Sequence, residues 1–418
     1  MVNGSILNAR VWSFVLAAVL LASAVVDVRA QSTRRRQGRQ PRAAQQPPQS
    51  KQPPQSSLTF DQAVKLGDEA REARKLDEAL GYYAQALKLQ PKWTEGWWYA
   101  GAIFYELDRY AEARDAFRNV VALDQNRGPA WGLLGLCEFQ LREYERAGFS
   151  LQRGRTLGLG GNQELESVVR YHTALVYIHF EQFEIAYTIL TEFLRFGNES
   201  PKVAEAFGLA ILRWPLVSSE VPADKREQVM MAGRAGLNMA ARRTDQARAA
   251  FDELLARYPN DANIRYAFGV FQLGQDADAA MKEFRRVLEL SPSHVPAMVQ
   301  MAFEHLKRDE YEEALPLAEK AVQLSPKMYP ARNVLGRVLL ELGQIERAVK
   351  ELEEGARLAP SSPEMHYALG RAYRRAGREP EAKREVELFQ KLQEQDNARR
   401  NAQLTGGGTS DDQPKPKP

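Results

Sequence analysis

The chain has 418 residues, 44% of them hydrophobic and 27% charged, which supplies apolar surface to bury and enough charge to stay in solution. That length exceeds one ordinary core and leaves either two domains or an elongated repeat array. The net charge of +3 is near neutral but uneven, and the single cysteine, Cys137, excludes an internal disulfide or a multi-cysteine metal site.

In chain order, the first feature is an apolar run from Val11 to Val26, preceded by Arg10 and followed by Val28-Arg29-Ala30. This reads as a signal peptide over residues 1–30, cleaved after Ala30, and predicts a secreted or periplasmic protein. The run falls short of the roughly 20 residues a membrane-spanning helix needs. Against translocation stand Arg34, Arg35, Arg36, Arg39 and Arg42, positive charge on the side that would have to cross. An uncleaved membrane anchor is therefore the alternative. No cysteine lies near the cleavage site, so a lipid anchor is not supported.

Residues 31–57 carry six Lys/Arg and no Asp/Glu, contain Pro47-Pro48 and Pro53-Pro54, and have no aromatic or aliphatic side chain larger than alanine. Such a segment cannot bury enough surface to fold and reads as a disordered Pro/Gln/Arg-rich linker. Without aromatics to stack on bases, a nucleic-acid partner is not expected. The body that follows is mildly acidic.

From residue 58 a period of 34 dominates. Proline recurs at 292, 326 and 360 after LELSP, VQLSP and ARLAP, and Pro91 and Pro259 close two similar segments. With this proline at position 32, nine candidate units start near Phe60, Thr94, Gly128, Ser167, Gln228, Ala262, Val295, Tyr329 and Pro363. Position 8 is Gly or Ala throughout, from Gly67 and Gly101 to Gly336 and Gly370. Position 20 is alanine throughout, from Ala79 to Ala382, with a one-residue deletion in the unit at Ala262. Small residues at both places let two antiparallel helices approach closely, and large apolar residues at positions 4, 7 and 24 fill the layers beside them. A proline after the second helix cannot extend it and resets the chain.

With units such as YALGRAY followed by EA, the chain resembles the tetratricopeptide repeat family, whose pattern is W-x2-L-G-x2-Y, then A-x3-F, then P. The resemblance covers about 58–395 and implies an all-α, right-handed superhelix, an α-solenoid of about nine helix-turn-helix repeats. The units at Thr94, Gly128 and Ser167 lack the closing proline, and the one at Ser167 fits loosely. Residues 200–226 fit no unit: a helix candidate, VAEAFGLAILRW, precedes Pro215 and Pro222. The expected organisation is repeats over 58–199, an irregular helical insertion over 200–226, repeats over 227–396, and an extension over 397–418 ending in a disordered tail.

Chemistry is hard to find. The five histidines, His172, His179, His294, His305 and His366, form no H-E-x-x-H pair, and packing among Tyr171, Tyr177 and Phe180 accounts for the first two. No nucleotide-binding loop or G-x-S-x-G is present, so neither a cofactor nor a catalytic residue is implied. Cys137 reads as a packing residue.

The family resemblance implies that helix A residues at positions 2, 5, 9, 12 and 13 line the concave face. Carried over, these positions give Trp98, Tyr105, Leu136 and Phe139 as an aromatic groove that would anchor a peptide. Packing between neighbouring units is the alternative. Near the other end, Arg371, Arg374, Arg375 and Arg378 share one helix stripe, and Arg337 stands one unit before Arg371. These guanidiniums suit a carboxylate or phosphate of a partner, or else a solvated face paired with Glu341, Glu379 and Glu381. The function expected is a non-enzymatic scaffold that binds a peptide or protein in the groove. A membrane-tethered assembly factor, and an enzyme with its site in the 200–226 insertion, are the alternatives.

Overall fold

The computed structural model describes residues 58–194 and 197–405; the signal-peptide, linker and tail expectations lie outside them. Nineteen α-helices account for most of the described residues, which contain no strand. They are α1 (Phe60–Glu72), α2 (Leu76–Leu89), α3 (Thr94–Glu106), α4 (Tyr110–Leu123), α5 (Gly128–Gln140), α6 (Tyr144–Leu157), α7 (Gln163–His179), α8 (Phe183–Leu194), α9 (Pro201–Leu212) and α10 (Arg226–Ala240). Then follow α11 (Thr244–Arg257), α12 (Ala262–Leu273), α13 (Ala277–Leu290), α14 (Val295–Lys307), α15 (Tyr311–Leu324), α16 (Tyr329–Glu341), α17 (Ile345–Leu358), α18 (Pro363–Arg375) and α19 (Glu379–Thr405). The chain divides into two compact units, Met1–Arg243 and Thr244–Pro418. Each is a stack of antiparallel helix pairs, the all-α solenoid that the period of 34 predicts.

Seven of the nine expected unit starts coincide with the first residue of a helix: α1, α3, α5, α12, α14, α16 and α18 open on Phe60, Thr94, Gly128, Ala262, Val295, Tyr329 and Pro363. The loose unit begins earlier, because Asn162 caps α7 by accepting from the Leu165 amide at 2.8 Å. The closing prolines stand two residues beyond α2, α11, α13, α15 and α17, where no helix could continue through them.

The small residue at position 8 has one recurring neighbour. A Cβ on Gly67, Gly101, Gly135, Gly269 or Gly336 would come within 2.6, 2.9, 2.7, 2.6 and 2.4 Å of Tyr83, Phe117, Leu151, Phe284 and Leu352, respectively. Each of these is the large position-24 residue of the same unit's second helix, one register place earlier in the unit with the deletion. Glycine on the first helix is thus the socket for a ring or leucine from the second, and these knobs are fully buried.

Position 4 makes a second recurring joint. Trp97 and Trp131 donate their indole N–H to the carbonyls of Pro91 and Gln125, each at 2.9 Å. In the second unit Arg265 and Arg332 donate from Nε to Pro259 and Pro326 at 2.7 Å, and His366 Nε2 reaches the Pro360 carbonyl at 3.0 Å. Each partner carbonyl lies six residues back, in the loop that joins one repeat to the next. The same three side chains also meet a glutamate on the following helix: Glu283 at 2.8 Å, Glu351, and Glu385 at 2.6 Å. In these five repeats position 4 carries a hydrogen-bond donor as well as packing volume, whereas Ala63 and Met298 supply packing alone.

The 200–226 segment forms α9, ended by Arg213 in the left-handed region, and then a strap with short 3-10 turns at Ser218–Glu220 and Ala223–Lys225. Helix α9 packs against α10 at backbone distance. A Cβ on Gly208 would lie 1.9 Å from the Val229 carbonyl oxygen, and one on Gly233 2.0 Å from that of Ala204. Val217 and Val221 seat the strap, with 3% and 4% of their surface exposed.

Candidate functional site

In the first unit several helix A positions line one side of a cavity of about 380 Å³. Its repeat-derived wall comes from position 12 of two units, Tyr105 and Phe139, and from positions 2, 5 and 9 of the loose unit, Val168, Tyr171 and Leu175. The insertion supplies the opposite wall through Lys202, Glu205, Val217 and Ser218. Tyr171 Oη lies 3.0 Å from Ser218 Oγ, and Ser218 in turn hydrogen-bonds the Glu205 carboxylate. Arg142 meets Glu220 at 3.6 Å from the far side of the strap. The strap is thus tied down by side chains 47 and 78 residues away in sequence, Tyr171 from Ser218 and Arg142 from Glu220.

His172 lies on the same wall. Its Nδ1 is 2.8 Å from the Val168 carbonyl, which can only accept, so Nδ1 carries the proton and Nε2 is an acceptor. Burial pushes this imidazole down to about 4, against the carbonyl, which pulls the other way; nearby Lys202 adds to the depression. The ring is neutral at pH 7 and stands edge-on to Phe139 at 4.7 Å. Desolvation also raises the carboxyls of Glu164 and Glu205 above the usual range.

The four aromatic and apolar positions expected to form one groove therefore divide. Tyr105 and Phe139 meet at the cavity. Trp98 and Leu136 do not: with 2% and 0% of their surface exposed they belong to the core, which corrects their assignment to a partner-binding face. Trp98 is enclosed by Phe117, whose ring centroid is 5.7 Å away, and by the Arg127 guanidinium 4.4 Å over its ring. Tyr105 is itself only 3% exposed, so it forms wall rather than open surface. Cys137 is fully buried, and its thiol is pushed far up by desolvation, which removes it as a nucleophile.

In the second unit position 9 of three successive repeats places Phe303, Arg337 and Arg371 in one column. The Arg337 guanidinium lies 5.1 Å over the Phe303 ring, half-buried, with no hydrogen bond or ion pair to any described residue. Desolvation first, and then the charge of Arg371, lower its pKa. Arg371 and Arg375 share one carboxylate, Glu341, at 2.9 and 3.5 Å. Three guanidiniums thus face a single acid, beside Tyr367, which is 51% exposed. The stripe does not act as a whole. Arg378 turns to Glu381 at 3.0 Å and to Glu353 at 3.4 Å, while Arg374 borders a separate hollow with Glu379 and Lys383. Sequence reasoning passed over Phe303 and Tyr367, although both occupy inner-face positions, 9 and 5. It had no signal for Lys202, Glu205 and Ser218, which reach the cavity only through the fold of the insertion.

Among the described residues no three His, Cys, Asp or Glu side chains are grouped to hold a metal ion. No helix among them is long and apolar enough to cross a membrane.

Comparison with known families matches tetratricopeptide repeats at residues 64–128, 235–295 and 305–371. The chain is a tetratricopeptide-repeat protein. Of its relatives, the human protein O-mannosyl-transferase TMTC3 is 25% identical over 240 residues, covering 54% of this chain and 26% of that protein. The general transcriptional corepressor trfA of Dictyostelium discoideum is 22% identical over 142 residues, covering 34% and 10%. This tetratricopeptide-repeat chain therefore spans about a quarter of the first relative and a tenth of the second. Among solved structures, MamA from Desulfovibrio magneticus RS-1 matches with a TM-score of 0.36 and 22% identity, covering 40% of this chain and 94% of that one. A double mutant of MamA gives the same score and identity over 40% and 96%.

Proposed function

We propose that this chain is a non-enzymatic interaction scaffold whose position-9 column in the second unit holds an acidic segment of a protein partner. The observation that carries the reading is Arg337: a half-buried guanidinium stacked on Phe303 with no carboxylate in bonding distance among the described residues. Removing a cation from water without a partner is costly, and an incoming carboxylate offsets that cost with a charge-assisted, bidentate pair. Arg371 and Arg375, which share Glu341, supply a second anchoring point, and exposed Tyr367 offers an apolar contact beside it. Catalysis is not part of this reading, because no nucleophile, metal cluster or acid–base pair accompanies the guanidiniums among the described residues. Cleavage after Ala30 and export remain part of the proposal, resting on the 1–30 sequence alone. A mature N-terminus at Gln31 supports export, and an intact residue 1–30 segment in the isolated protein replaces it with the tethered form.

The test uses a fluorescein-labelled peptide of four glutamates around one phenylalanine, titrated by anisotropy. Arg337→Ala weakens binding about tenfold, Arg371→Glu more, and added salt weakens the wild type in parallel. Equal affinity for wild type and both variants removes the column from the function.

A further inference from the structure

We propose that the first-unit cavity is a side-chain pocket for an organic cation, the guanidinium or ammonium of an arginine or lysine on a protein partner, and that the insertion exists to complete it. This site is independent of the second-unit column and takes the opposite charge.

The cavity volume of about 380 Å³ suits one long side chain. Phe139 and Tyr171 place aromatic rings in its wall, and Leu175 and Val203 add apolar lining for a side-chain stem. Three polar groups of the wall, the carboxylates of Glu164 and Glu205 and Nε2 of His172, can only accept, and the hydroxyls and amides around them can turn an acceptor inward. Glu164 makes no hydrogen bond or ion pair with any described residue, and desolvation is the sole cause of its raised pKa. His172 presents Nε2 as an acceptor because Nδ1 is committed to the Val168 carbonyl. Glu205 lies behind Ser218, with Arg226 as a distant counter-charge. An anion entering this space meets two carboxylates, whereas a cation meets aromatic rings and an unpaired acid. The one cation on the wall, Lys202, is exposed on α9, and its charge acts on both His172 and Glu205, so it competes with an incoming cation.

The insertion makes the pocket. Without Lys202, Val203, Glu205, Val217 and Ser218 the repeat residues would face open solvent, and stripped of low-dielectric walls their attraction for a cation falls. The bond from Tyr171 to Ser218 and the ion pair of Arg142 with Glu220 hold the strap in place.

The test compares, on the full chain by isothermal titration, two hexapeptides that differ only in one central residue, arginine or norleucine, with agmatine as the free cation. The arginine peptide binds at least about tenfold more tightly than the norleucine peptide. Glu164→Gln removes that difference while thermal unfolding stays in place, Lys202→Ala tightens arginine-peptide binding about threefold, and Arg371→Glu leaves it unchanged. Agmatine binds more weakly than the peptide, which assigns the cation to a protein. Equal binding of the two peptides, or no response to Glu164→Gln, overturns the cation pocket. Agmatine binding as tightly as the peptide overturns the protein as its source.

Discussion

The two units solve one mechanical problem with different chemistry. Each must pin a repeat to the loop before it, and each does so from position 4 with an N–H aimed at a carbonyl six residues back. The first unit uses indoles, Trp97 and Trp131, whose rings also bury apolar area. The second uses Arg265, Arg332 and His366, each also bound to a glutamate on the next helix. What these five joints share is the donor, while the rest of the side chain varies; Ala63 and Met298 hold the same position without one. The proposed binding sites differ in the same sense: aromatic and acidic around Phe139 and Glu164, cationic around Arg337 and Arg371.

The sharpest way to break this comparison is Trp131→Ala, which removes both ring and donor. It costs about 3 kcal/mol, seen as early loss of hydrogen-exchange protection in α5 and α6 while the second unit keeps its own. Acidification tests the same unit by another route. His172 has a folded value of about 4 against an ordinary 6.5, so its stabilisation is complete above pH 6.5 and is lost as pH falls through 4. The full effect is roughly 3 kcal/mol, and His172→Gln flattens the pH dependence of α7 protection between those limits. In the second unit Arg332→Met keeps the stem and deletes the carbonyl bond and the Glu351 pair. A loss of about 2 kcal/mol is expected, and 1 M salt narrows the gap between wild type and variant. The smallest effect isolates the donor: Trp97→Phe retains most of the ring and forfeits one hydrogen bond, about 1 kcal/mol by urea unfolding. If Trp97→Phe matches Trp131→Ala in cost, packing and not the N–H is what position 4 supplies.

Much of this architecture was legible because the repeat is written in steric terms. Gly101 facing Phe117 and Gly336 facing Leu352 are local pairs at fixed spacing, and the period of 34 exposes them. The faces were less legible. Trp98 and Leu136 occupy positions that the family resemblance assigns to an open groove, yet Arg127 and Phe117 close over the first, and the second is wholly buried. Position 4 was readable as volume at Trp97 and Trp131. Its second role shows only when Arg265, Arg332 and His366 are placed in the same register and seen to share an N–H. The cavity was out of reach, since Ser218 meets Tyr171 through a segment with no repeat pattern to locate it.

The turns inside the helical hairpins have a consequence of their own. Arg74, Asp108, Arg142, Glu181, Arg242 and Asp309 hold φ between 56° and 61° at the place where Gly343 and Gly377 hold 74° and 71°. A side chain in that left-handed region carries a conformational cost that glycine avoids, least for aspartate. The last two hairpins are thus relaxed where six earlier ones are sprung; the α12–α13 turn, with Gly274 at φ −79°, has no residue in that region. In a chain whose repeats mainly support their neighbours, such a gradient gives unravelling a direction, with the arginine-bearing column at the end that lets go last.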